Sequence, residues 1–124
     1  MTMNIVVLDA AELPPGAEFP FLKAPKFGWK EYPRLPVENI AEECWRSDVL
    51  VSFGTLIPGE TMTQLPRLKL VICAGERNDL ADRGMAESTG IEIRHVPYPR
   101  ENRAAICQSI ADLIDDFIVN YREV

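Results

Sequence analysis

Three stretches of this chain are almost wholly apolar and too short for helices. NIVVLD (Asn4 to Asp9), DVLVSFG (Asp48 to Gly54) and LKLVICA (Leu68 to Ala74) each end at an Asp, Gly or small residue. Such runs predict buried strands. IEIRHVP (Ile91 to Pro97) alternates apolar with polar residues and predicts a half-exposed strand at a sheet edge. A short edge strand is expected at Trp29 to Tyr32, with Pro33 just after it. Between these runs the spacing changes to steps of three and four. Val37 to Ser47 has apolar residues at 37, 40, 41, 44 and 45, which is helical. GETMTQLP predicts one or two helical turns closed by Pro66, and Asp79 to Thr89 a helix stopped by Gly90. The last segment is the clearest. Ile106, Ile110, Leu113, Ile114, Phe117, Ile118 and Tyr121 form one stripe, with Asp112, Asp115, Asp116 and Glu123 mostly off it.

Strands alternating with helices in this way imply βαβ units and a parallel sheet. Five strands in 124 residues predict a single α/β domain over residues 1–124: a flavodoxin-like three-layer sandwich in strand order 2-1-3-4-5. Ligands of such sheets gather at the carboxyl ends of the strands. Here those are the loops after Asp9, Gly54, Ala74 and Pro97. Residues 10–36 carry six of the ten prolines, which predicts loop rather than interior helix.

Composition narrows the function. The formal net charge of -6 argues against a general nucleic-acid or anionic-membrane binder, although a local basic patch stays open. Cys44, Cys73 and Cys107 are far apart and form no CxxC, so they read as reduced thiols in a cytoplasmic protein, with no metal site. The apolar start lacks a basic lead-in and Asp9 ends it early, which predicts a strand and not a signal peptide. No run approaches the roughly 18 apolar residues of a membrane span.

The stretch AGERNDLAD, Ala74 to Asp82, sets a Gly and four charged residues where a buried strand should end. MNIVVLDAAELPPG, DVLVSFGTLIPGETM, LPRLKLVICAG and GIEIRHVP follow one another in order around it. Together they resemble the substrate-binding domain of the D-isomer-specific 2-hydroxyacid dehydrogenases, with the glycerate and phosphoglycerate branches nearest. In that family a nicotinamide-binding Rossmann domain with the catalytic Arg, Glu and His comes next. Here the chain stops at Val124 and no GxGxxG follows a strand. The resemblance therefore implies a stand-alone domain with no catalytic residue and no cofactor of its own, with NAD expected only if a partner chain completes it.

The family writes A-G-x-G-x-[DN]-N-[VI]-D after its fourth strand, a loop whose amides hold the substrate carboxylate. Ala74, Gly75, Asp79 and Asp82 match it, while Arg77 replaces the second Gly and Leu80 the Asn. After the fifth strand the family has a Pro and then N-x-x-[ST]-x-A-E-[HQ]. Pro97 and Ala105 match; Arg100, Arg103, Ile106 and Cys107 stand for the Asn, Ser, Glu and His. Thr55 keeps the family's G-T step after the third strand, and Ser52 stands where some members carry an Arg. His95, in the fifth strand, is not the family's catalytic His.

The candidate substrate-binding set is Thr55, Gly75, Glu76, Arg77, Arg100 and Arg103. Arg77, Arg100 and Arg103 would converge at the ends of strands four and five, with Arg103 in the first turn of the last helix, and hold a phosphate or carboxylate. Their plainer use is to pair with Glu76, Asp79 and Glu101. The candidate interface is the stripe Ile106, Ile110, Leu113, Ile114, Phe117, Ile118 and Tyr121, through which a homodimer is expected. Cys107 near a helix start and Arg103 is a candidate activated thiol, against the commoner role of a buried apolar residue. Phe19, Phe21, Phe27, Trp29 and Tyr32, interleaved with Lys23, Lys26 and Lys30, read as a satellite core under a long loop rather than a single-strand nucleic-acid platform. Two functions follow: a non-catalytic binding or interaction module for a small anionic metabolite, or the substrate subunit of a split NAD-dependent D-2-hydroxyacid dehydrogenase completed by a separate Rossmann chain.

Overall fold

A computed structural model of the chain describes residues 2–121. Glu123 and Val124 lie outside them. Five strands form one sheet: β1 (Met3–Val7), β2 (Phe27–Glu31), β3 (Val49–Ser52), β4 (Leu70–Ala74) and β5 (Glu92–Val96). Every pairing is parallel and the order is β2-β1-β3-β4-β5, as the alternation of elements predicts. The helices are α1 (Val37–Glu43), α2 (Gly59–Met62), α3 (Arg83–Thr89) and α4 (Ile106–Tyr121). The architecture is a flavodoxin-like α/β sandwich. Among the described residues no helix is long and apolar enough to cross a membrane.

Side chains alternate across a strand, so each central strand feeds two cores. Ile5, Val7, Val51 and Ile72 meet Ile106, Ile110, Ile114 and Ile118 of α4 on one face. Leu8, Leu50, Val71 and Cys73 meet Ile40 of α1, Met62 of α2 and Ala86 of α3 on the other. The proline-rich stretch does the work of a helix on the α4 face. Leu22 is buried there, and Leu13, Ala17, Phe19 and Ala24 pack beside it. The Asp115 carboxylate fastens this stretch to α4, accepting from the Lys23 amide at 2.9 Å and the Ala24 amide at 3.3 Å.

Several boundaries move. β2 starts two residues before the expected Trp29, because Phe27 already pairs with Met3. α1 ends at Glu43 instead of Ser47, whose hydroxyl and amide both donate to the Cys44 carbonyl, at 2.7 and 2.8 Å. α3 begins at Arg83 rather than Asp79. Asp82 caps it by accepting from the Met85 amide at 3.0 Å, and Ala81 bridges to Ile57 just before. Gly90 ends α3 at φ 78°, a left-handed cap that Gly adopts freely. The aromatic residues do not form one satellite cluster. Phe19 and Trp29 touch, with centroids 5.0 Å apart, on the α4 face; Tyr32 joins the opposite core; Phe21 is 93% exposed.

Candidate functional site

The carboxyl ends of the strands are held in place by Asp9, which follows β1 and is buried. Its carboxylate accepts from the amides of Phe53, Gly54 and Thr55 at 2.9, 2.9 and 3.1 Å, and from the Thr55 hydroxyl at 2.9 Å. The Ser52 hydroxyl donates to the Thr55 carbonyl at 2.6 Å. The loop after β3 is thus tied to Asp9, and the Thr55 hydroxyl proton is used in that tie.

The loop after β4 turns sharply at Gly75, whose φ of 90° disfavours any side chain. Its amide donates to the Val96 carbonyl at 2.8 Å, and its carbonyl lies 2.9 Å from His95 Nε2. A carbonyl only accepts, so that ring nitrogen carries the proton. The Tyr98 ring packs on Gly75, where an added Cβ would meet it at 3.0 Å. Prolines on both sides, Pro97 and Pro99, restrict the backbone that presents this ring.

Arg103 completes the stack, its guanidinium carbon 3.8 Å from the Tyr98 ring centroid, a cation–π arrangement. It lies in a one-turn 3-10 segment (Arg103–Ala105) ahead of α4, not in α4's first turn. The Asn102 side chain starts that segment by accepting from the Ala104 amide at 3.2 Å. Gly75, Glu76, His95, Tyr98, Arg100 and Arg103 line an open hollow of about 420 Å³.

Four of the six candidate binding residues therefore share one hollow: Gly75, Glu76, Arg100 and Arg103. Arg77 is drawn aside. It donates to both Asp79 oxygens, at 2.9 and 3.1 Å, and that hydrogen-bonded pairing holds the Asp79 carboxyl below its usual range. The expected convergence of three arginines is reduced to two. Leu80 turns inward and is buried in the core, with its carbonyl accepting from the Ile57 amide at 2.7 Å.

The thiols behave as core atoms. Cys107 is buried, and desolvation pushes it up to about 11, the opposite of an activated cysteine. Cys44 is likewise raised to about 11, and burial raises Cys73. On α4, Ile106, Ile110, Ile114 and Ile118 are buried within the chain itself, while Leu113 and Phe117 are half-buried and Tyr121 is exposed. A larger hollow of about 730 Å³ lies away from the strand ends, along the outer side of α4 between Lys23 and Arg94.

Two of these features escape the sequence reading. Tyr98 is unremarked there, though a Pro-Tyr-Pro following a strand signals a fixed aromatic. Asp9 is read as the end of a run, though a carboxylate at a strand's carboxyl end in a parallel sheet is placed to gather neighbouring loop amides.

No protein-family model matches the sequence, and no solved structure does. Over 96 residues the chain is 31% identical to a protein of Haemophilus influenzae described as a "Putative 2-hydroxyacid dehydrogenase". The match takes in 76% of this chain and 30% of that protein, so this chain corresponds to under a third of its relative. That partial similarity supports a dehydrogenase-like family for this flavodoxin-like sheet.

Proposed function

We propose that this chain is a dehydrogenase-like binding domain that holds a small carboxylate or phosphate in the hollow at the Gly75 turn and transfers no hydride by itself. The supporting observation is Arg103 stacked 3.8 Å over Tyr98, which itself rests on Gly75. Stacking orients a guanidinium in advance, so less side-chain freedom is lost when an anion binds. Arg100 and the imidazole of His95 border the same space. Three buried thiols fit a reducing, cytoplasmic setting. Thermal melts with phosphate, glyoxylate and hydroxypyruvate test the reading: each that binds should raise the melting temperature, and Arg103→Ala should sharply reduce that rise. Absence of any rise with all three would refute it.

The similarity to part of a dehydrogenase supports a second reading, a substrate-binding subunit completed by a separate nicotinamide-binding Rossmann chain. Hydride transfer needs a cofactor and a proton donor held against the substrate, and a second chain would supply both. Mixing this protein with any free-standing Rossmann chain found encoded beside it, and following NADH oxidation with hydroxypyruvate, distinguishes the two. Turnover only in the mixture supports the split enzyme; binding without turnover in any mixture supports the first reading.

A further inference from the structure

β5 ends the sheet, and among the described residues no strand covers its outer edge. The Glu92 amide donates to the Lys69 carbonyl at 2.9 Å and the Val96 carbonyl accepts from Gly75 at 2.8 Å, so even-numbered residues of β5 face β4. The amides and carbonyls of Ile93 and His95 therefore point outward, ready to pair. Glu92 and Arg94 lie two apart on one face, both exposed, with Arg94 donating to Glu92 at 2.8 Å. Beside them Leu113, Phe117 and Tyr121 of α4 wall a notch of about 230 Å³. Proteins guard open edges with charge, most often lysine. An acid and a base two residues apart do not guard an edge against its own copy, because antiparallel pairing can set each against the other.

We propose that β5 pairs antiparallel with β5 of a second copy of this chain, about a twofold axis through Ile93. Opposed side chains in such a pair share a face, so an axis normal to the sheet must pass through a residue. An axis through Arg94 or Glu92 sets that residue against its own copy, like charge on like. One through His95 sets Ile93 opposite Pro97, which has no amide proton to donate. An axis through Ile93 opposes Ile93 to itself with its outward amide and carbonyl both used. It also sets Glu92 of each copy against Arg94 of the other. The same rotation brings the two α4 helices side by side on one face, where Leu113, Phe117 and Tyr121 close the notch. The two five-stranded sheets become one continuous sheet. The dimer expected from the apolar stripe thus uses the strand edge and the flank of α4, not the buried isoleucines.

Light scattering on the eluted protein at micromolar concentration should give twice the 14.0 kDa mass of one chain. Arg94→Glu opposes acid to acid and Glu92→Arg opposes base to base, so each variant alone should halve that mass. An equimolar mixture of the two should recover the doubled mass, since each new charge then meets its opposite. Both side chains are exposed, and circular dichroism of each variant confirms that it is folded. A wild-type mass of one chain, single variants that stay dimeric, or a mixture that stays monomeric would each overturn the pairing. The anion hollow plays no part in this test.

Discussion

The ring of Tyr98 occupies the space that a side chain on residue 75 would need, with Cε2 3.0 Å from where a Cβ would stand. Gly75→Ala therefore meets two obstacles, the ring and a φ of 90°. We expect it to cost about 1–3 kcal/mol in urea unfolding. Adding Tyr98→Ala should relieve the steric part and leave the backbone part. A double variant no more stable than simple addition predicts would show that ring and glycine are not in contact.

Asp9 ties two loops together through four accepted hydrogen bonds. Asp9→Ala leaves the Phe53 amide and its neighbours without that acceptor, at an expected cost of about 3 kcal/mol. Asp9→Asn keeps one oxygen and should cost less. Amide exchange at residues 53–55 should quicken in both variants; unchanged protection there would contradict the role given to Asp9.

Burial holds the Cys44 and Cys107 thiols at about 11, against an ordinary 9.0. Between those values the unfolded chain has lost the protons that the fold retains. The fold then binds more protons, so stability falls as pH rises across that window and levels off above it. Urea midpoints followed upward from about pH 8 should show the fall, and replacing both cysteines with Ala should lessen it, the raised Cys73 thiol keeping the remainder. Equal slopes in the two proteins would rule Cys44 and Cys107 out as its cause. The same burial predicts slow alkylation of Cys107 in the native state and rapid alkylation in denaturant.

The fold was legible because a parallel sheet buried on both faces writes itself as short apolar runs, and the runs at β1, β3 and β4 are nearly unbroken. Helix ends were less legible, since tertiary contacts set them. Leu80 and Ala81 look like helix but are held by Ile57, a partner 23 or more residues away in sequence. The site was half legible. Gly75, Arg100 and Arg103 stood out by residue type and place, and the fold sets them round one hollow. Arg77 took the plainer of its two readings, pairing with Asp79 two residues on, and sequence does not say which of several acids a flexible arginine will take. The stripe on α4 gave the helix but not its facing: four isoleucines serve the chain's own sheet, and only the flank is left for a partner.

Whether the hollow holds an anion is decided most directly by amide and side-chain chemical shifts as glyoxylate or phosphate is added to labelled protein. Binding there predicts saturable shifts at Gly75, Glu76 and His95 and from Tyr98 to Arg103, weakened about tenfold or more in Arg103→Ala. Shifts that never saturate, or that gather elsewhere on the molecule, would contradict it.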